Sequence, residues 1–213
     1  MTIRTELYVE SLKRLPKTGQ QILGYQTEEH IVVYQAYKRS IANFALTHQV
    51  LGGNDFSFNR MSWIKPNFLW MMYRCGWAEK ENQESVLALW IKKSDFSLIL
   101  DKAVFSSFNK ANYQSQEQWR EELNCSDVRL QWDPDHDPYG NKIERRAIQI
   151  GIKGETLANF CKNQIVKIED VTDFVKSQKG FLDHQQSTQF SVPIETVYDN
   201  FDAITMQRLG ISL

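Results

Sequence analysis

The sequence predicts a single α+β domain in which helices pack on a mixed or antiparallel sheet. Three observations predict it. Short β-branched and aromatic runs alternate irregularly with stretches of helical periodicity, which is not the regular strand–helix repeat of a doubly wound parallel sheet. Two of those runs, 128–132 and 147–152, flank a polar turn at 133–141 and read as a hairpin. Hydrophobic residues make up 42% of the 213 and charged residues 24%, the balance of a globular chain able to bury one core without staples. The expected organisation is an N-terminal arm at 1–19, one domain at 20–178 and a peripheral tail at 179–213.

The elements follow in order. Leu7, Val9 and Leu12 stand between charges, so the first residues to about Arg14 read as a short surface helix, broken at Pro16 and Gly19. Residues 31–34 (IVVY) are β-branched and aromatic and read as a buried strand. Ile41, Phe44, Ala45 and Leu46 recur at helical spacing over 40–50, and Gly52 and Gly53 stop that helix. A loop and short strand occupy 56–64. Pro66 suits the first turn of a helix over 67–75 that is apolar nearly all round and therefore buried, with Gly76 as its end cap. A charged loop at 79–84 leads into a strong strand at 85–91 and short helices at 95–103 and 114–123. After the hairpin come a helix to about Cys161, a strand at 165–168 and a helical turn capped by Asp170 or Thr172. Beyond about Gly180 the chain is rich in Gln, Ser, Thr and Asp. It is expected to order only where Phe190, Val192, Ile194, Val197 and Tyr198 find a groove.

Composition excludes several classes. A formal net charge of −1 is not that of a general nucleic-acid coat, which needs an excess of Lys and Arg. Cys75, Cys125 and Cys161 are widely spaced, with no zinc-like Cys/His spacing, and are expected to be reduced thiols. The first residues carry Glu6 and Glu10 and no apolar signal-peptide core, and no apolar window is long enough to span a bilayer. The expectation is a cytoplasmic protein without a membrane partner.

Several stretches match a known pattern: YQAY at 34–37, RMSWIKPNFLWMMYRCGWA at 60–78, QWDP at 131–134, RAIQIG at 146–151 and IEDVT at 168–172. Together they resemble the domain-of-unknown-function family 4291 over roughly 20–176, and the central block of nineteen residues is too long for chance. Leu23 stands where the family pattern has Arg, and Cys75 where it has Ser. The resemblance implies a fold class and no chemistry.

The order of elements from 33 to 91 is also similar to the front half of ADP-ribosyltransferases. That similarity implies NAD as cofactor, a polar residue on the first strand, a hydroxyl or aromatic on the second and a Glu on a later strand. Here those positions are Tyr34 or Gln35, then Ser62, then Glu144. The chemistry explains the requirement. Breaking the nicotinamide bond builds positive charge on the ribose, which a carboxylate stabilises, while an aromatic stacks on nicotinamide.

A basic and aromatic set accompanies them. Arg60, Lys65 and Arg74 suit phosphate, and Trp63 and Trp77 suit a stacked base, with plain core packing the alternative for the Trp residues. Arg145 and Arg146 could join them, but Arg60 and Arg74 flank an apolar helix, where an idle buried charge would be costly, and so rank ahead of Arg145. Asp133, Asp135, Asp137 and Glu144 fall at positions 1, 3, 5 and 12 of a calcium loop, but Pro138 occupies the required Gly position, so no metal is assigned. No His lies near Cys75 in sequence, and Gly52-Gly53 lacks a phosphate-loop pattern. The leading expectation is an NAD-dependent, ADP-ribosyltransferase-like enzyme binding a nucleotide or dinucleotide, with an RNA or protein acceptor. The alternatives are a non-catalytic RNA- or nucleotide-binding module, or a protein whose aromatic block is core alone.

Overall fold

The computed structural model describes residues 2–186 and 188–212. In chain order the elements are β1 (Thr5–Leu7), α1 (Tyr8–Arg14), β2 (Leu23–Tyr25), β3 (His30–Tyr37), α2 (Arg39–His48), β4 (Ser62–Ile64) and α3 (Phe68–Cys75). They continue with β5 (Ser85–Lys92), α4 (Lys93–Asp101), β6 (Ala103–Phe105), α5 (Gln116–Cys125), β7 (Val128–His136) and β8 (Lys142–Ile152). The last are α6 (Gly154–Asn159), a π-turn at Phe160–Gln164, β9 (Ile165–Asp170), α7 (Thr172–Asp183), β10 (Ser191–Pro193), β11 (Glu195–Val197) and α8 (Ala203–Leu209). The fold is α+β.

Two larger sheets organise it. One has the order β3-β5-β9, antiparallel throughout; the other has the order β4-β8-β7-β6, antiparallel except for the parallel β6–β7 edge. They are stitched where β3 meets the end of β4. Tyr34 N–H donates to the Lys65 carbonyl at 2.7 Å, and Lys65 N–H returns a bond to the Tyr34 carbonyl at 3.2 Å.

Strand alternation divides β3 between two cores. Ile31 and Val33 join Leu87, Leu89 and Ile91 of β5 and Leu130, Ile148, Ile150 and Ile152 of the four-stranded sheet in one cluster. Val32, Tyr34 and Ala36 join Val86, Ala88 and Trp90 against Phe68, Met71 and Met72 of α3 and Val175 and Leu182 of α7 in the other. The β5 strand is therefore buried on both faces, which is why its sequence reads as a continuous apolar run.

The α3 helix begins one step later than Pro66 suggests. Asn67 is the N-cap, its side chain accepting from Trp70 N–H at 2.7 Å. Gly76 ends the helix at φ 56°, a left-handed conformation that suits Gly. The expected hairpin forms, but its strands run farther than expected and the turn shrinks to 137–141. There Asp137 Oδ1 accepts from the backbone N–H groups of Tyr139 and Asn141, both at 2.9 Å. Asp133 and Asp135 are strand residues, not loop ligands. Among the described residues no group of three or more His, Cys, Asp or Glu is placed to hold a metal.

The arm and the tail, expected as peripheral pieces, clasp each other and the body. β10 pairs with β1 and β11 with β2. Phe190, Tyr198 and Leu209 are each at most 1% exposed. Arg14 reaches across to the Glu195 carbonyl and ion-pairs with Glu6. Glu195 itself is buried at the start of α3, accepting from Phe68 N–H at 2.6 Å and Asn67 Nδ2 at 3.1 Å. Polar composition misled the reading of the tail because a few well-spaced apolar residues suffice to bury a three-residue strand once a partner edge exists. No helix among the described residues is long and apolar enough to cross a membrane.

Candidate functional site

Where the two large sheets meet, a cleft of about 610 Å³ opens between the Tyr37 end of β3, β4, the C-terminal half of α3 and the loops at 55–57 and 81–83. The same alternation that sends Tyr34 into the core turns Gln35 and Tyr37 the other way, onto the cleft. Gln35 Oε1 is buried there without a hydrogen-bond partner among the described residues. The Tyr37 hydroxyl lies 3.3 Å from Ser62 Oγ. Burial pushes the Tyr37 phenol well above its ordinary range, so it stays protonated and able to donate.

Lys65 follows β4 and is 4% exposed. Its Nζ donates to the Trp63 carbonyl at 2.8 Å and has no carboxylate ion pair among the described residues. Burial, reinforced by the neighbouring Arg74 charge, pulls its pKa down from 10.5 to about 7, against a smaller opposing pull from Cys75 and Asp133. Near neutral pH this amine is therefore divided between its charged and neutral forms. Trp63 lies against Gly151 of β8: a Cβ there would collide with Met61 Sδ and lie 3.0 Å from Trp63 Cε2, so Gly is what admits the indole.

The cleft mouth is charged. Arg60 and Arg74 are exposed, and neither guanidinium has an ion-pair partner among the described residues. Arg74 sits 5.9 Å from the Trp70 ring centroid. Lys38 pairs with Asp55 at 2.9 Å, and hydrogen bonds from Ser40 and Lys38 hold the Asp55 carboxyl below its ordinary value. Glu81 is exposed on the loop between α3 and β5.

The structure thus gathers Gln35, Arg60, Ser62, Trp63, Lys65 and Arg74 around one cavity. It places three other predicted residues elsewhere. Tyr34 is fully buried on the opposite face of β3. Trp77 is 9% exposed behind α3, edge-on to Phe68 and Phe190 at 6.2 and 5.9 Å, and is core. Glu144 is exposed on β8, eight residues before Ile152, the residue that faces Ser62. At about 3.3 Å per residue that is roughly 26 Å along the strand.

Arg145 is spent on a buried ion pair with Asp135 and a bond to the Pro16 carbonyl, and Arg146 ties its backbone N–H to Gly19. Arg60 and Arg74, expected to be costly in an apolar setting, avoid that cost by exposure. Tyr37, at the end of the 34–37 strand expected to line the pocket, does line it, and its spacing from Gln35 puts both on one strand face. Lys38, Asp55 and Glu81 come from loops and carry no local signal.

A larger groove of about 770 Å³ lies between α4, β6, α5 and α6. Its carboxylates are partly committed: Asp127 faces Thr156 N–H at 3.4 Å, and Asp101 lies 4.0 Å from Arg208. It contains none of the predicted residues.

Over residues 21–198 the sequence matches the family described as Domain of unknown function (DUF4291). The chain belongs to that family. The match covers every element that lines the cleft and extends through β10 and β11, so the tail strands are part of the family's domain to Tyr198. No curated protein matches the sequence.

Proposed function

We propose that the cleft binds a phosphate-bearing nucleotide, with NAD as its cofactor and ADP-ribosyl transfer to an RNA or protein acceptor as its reaction. The observation that carries the reading is the convergence of Gln35, Ser62, Trp63, Lys65, Arg60 and Arg74 on one cavity of nucleotide size. Two guanidinium groups at the mouth, without an ion pair among the described residues, suit a diphosphate. Trp63 offers a face for a base. Gln35, Tyr37 and Ser62 offer hydrogen bonds to ribose hydroxyls or to the nicotinamide amide.

In this reaction the ribose C1–nitrogen bond breaks and its electron pair leaves with nicotinamide. The acceptor's nucleophile then bonds to C1 and releases a proton. Positive charge on the ribose requires a carboxylate, and Glu144 lies too far along β8 to serve. Glu81, at the cleft wall, takes that role in this reading.

One observation favours a second reading, a non-catalytic nucleotide- or RNA-binding module: the cleft's carboxylates, Asp55 and Glu81, sit on exposed loops and not on a strand. The first test is the thermal midpoint with and without NAD. For a dissociation constant of about 50 μM and about 1 mM ligand, the midpoint should rise by about 4–7 °C. Nicotinamide release that Glu81→Gln abolishes while binding persists supports the enzyme. Binding without release supports the module. No shift with NAD overturns the cofactor assignment.

A further inference from the structure

A charge inside a protein is tolerated only when it is paired, and an amine without a counter-charge tends to shed its proton instead. Lys65 is such an amine. It is 4% exposed, and among the described residues the Trp63 carbonyl is the one hydrogen-bond partner of Nζ. The titratable groups acting on it come from α3 and β7. Arg74 opposes its charge, while Cys75 and Asp133 favour it more weakly than burial and Arg74 disfavour it.

Lys65 also lines the cleft, as do Trp63, whose carbonyl holds Nζ, and Arg74. The other cleft lysine, Lys38, is engaged with Asp55 at 2.9 Å. Desolvation and a neighbouring cation are the two conditions that turn a lysine into a nucleophile toward carbonyl carbon. Both hold at Lys65. Arg60 and Arg74 stand exposed at the mouth of the same cleft, in a fork geometry that suits phosphate.

We propose that Lys65 captures a phosphorylated aldehyde as an imine, with Arg60 and Arg74 holding the phosphate. The Nζ lone pair attacks the carbonyl carbon. The two amine hydrogens and the carbonyl oxygen leave as water, and a C=N double bond joins Lys65 to the ligand. No oxidant or reductant is required. Sugar phosphates that open to a free aldehyde belong to this ligand class. The inference rests on the phosphate-binding part of the proposed function and does not require NAD.

Pyridoxal 5′-phosphate and pyridoxal, which differ by the phosphate alone, are the probes. Each is titrated into the intact protein at about pH 7, the imine is read by absorbance, and borohydride reduction followed by peptide mass mapping locates it. Lys65 should take the label ahead of the exposed lysines. An amine with a pKa of about 7 holds roughly a thousandfold more neutral form at that pH than an ordinary lysine. Pyridoxal 5′-phosphate should be captured about tenfold more tightly than pyridoxal, the worth of a charge-assisted bond to phosphate. Arg60→Ala, at an exposed position, should remove most of that preference and leave pyridoxal unchanged.

Label spread over exposed lysines, or carried by Lys38 with Lys65 untouched, would overturn the proposal on the wild-type protein alone. Equal capture of the two probes, or an unchanged preference in both Arg60→Ala and Arg74→Ala, would overturn the phosphorylated class. Lys65→Met should abolish the imine absorbance, and its persistence would place the imine elsewhere. The result is separable from the nucleotide reading. Labelled Lys65 without a midpoint shift by NAD keeps this proposal and removes that cofactor, while a shift by NAD without labelled Lys65 does the reverse.

Discussion

The turn end of the β7–β8 hairpin and the cleft between the sheets both hold arginines, and they use them in opposite ways. At the hairpin, Arg145 and Asp135 are 4% and 0% exposed and bonded to each other, with Arg145 also held by Pro16. At the cleft mouth, Arg60 and Arg74 are exposed and unmatched by any carboxylate among the described residues. A buried charge must be paired to be tolerated, so the hairpin pair is fastened and unavailable. An exposed charge on a concave wall keeps its hydration until a ligand replaces it. Only the second arrangement leaves something for a ligand to do.

Breaking the hairpin pair should give the largest effect. Asp135→Ala strands Arg145 without its partner and is expected to cost about 3–5 kcal/mol of stability, measured by urea unfolding. A loss below about 1 kcal/mol would mean that Arg145 finds water or another acceptor, and the contrast with the cleft would fail.

The pH dependence of stability sharpens the comparison, because two buried groups have no ion pair among the described residues. Burial raises the Glu195 carboxyl from 4.5 to about 8, outweighing the donor N–H of Phe68. The folded state therefore holds its proton more tightly than the unfolded chain, and stability falls as pH rises from about 4.5 to 8. Lys65 behaves oppositely: its pKa is lowered from 10.5 to about 7, the unfolded chain binds the proton more tightly, and stability rises with pH from about 7 to 10.5. Together they predict a minimum near pH 7–8 in urea-derived stability. Glu195→Gln should flatten the acid limb and Lys65→Met the alkaline limb. If either limb survives its substitution, another group carries it.

Arg60→Ala and Arg74→Ala should leave stability within about 0.5 kcal/mol, as exposed substitutions do. Each should weaken NAD about tenfold or more, the worth of a charge-assisted hydrogen bond to phosphate, read by titration calorimetry. A large stability loss with intact binding would reverse their assignment. The smallest expected effect is at the Lys38–Asp55 pair, which is exposed on the same wall. Lys38→Ala should lower the urea midpoint several times less than Asp135→Ala, although both remove one partner of an ion pair.

Much of the fold was legible because local chemistry and tertiary demand agreed. The Asn67 and Gly76 caps, the all-round apolar surface of α3, the apolar run of β5 and the hairpin's paired patterns each point to the element that forms. The short strands were less legible. β1, β6, β10 and β11 have three residues each, too few to show a period, and β6 lies at the end of what reads as a helix over 95–103. In the site, Arg60 to Arg74 were legible as a block because β4 and α3 are consecutive and hold their residues together by chain connectivity alone.

Glu144, Tyr34 and Trp77 were not legible in the same way. Period-two alternation says that Tyr34 and Gln35 face opposite sides of β3, but which side holds solvent depends on where α3 and the second sheet come to rest. Glu144 failed on register, since its distance from Ser62 is set by the Ser62–Ile152 pairing between strands distant in sequence. The α+β class, the family and the caps could be read along the chain, because they are written in local residue patterns. The tertiary structure alone decided which polar residues share a cavity and which charges are paired, because burial and register arise only when distant segments exclude water together.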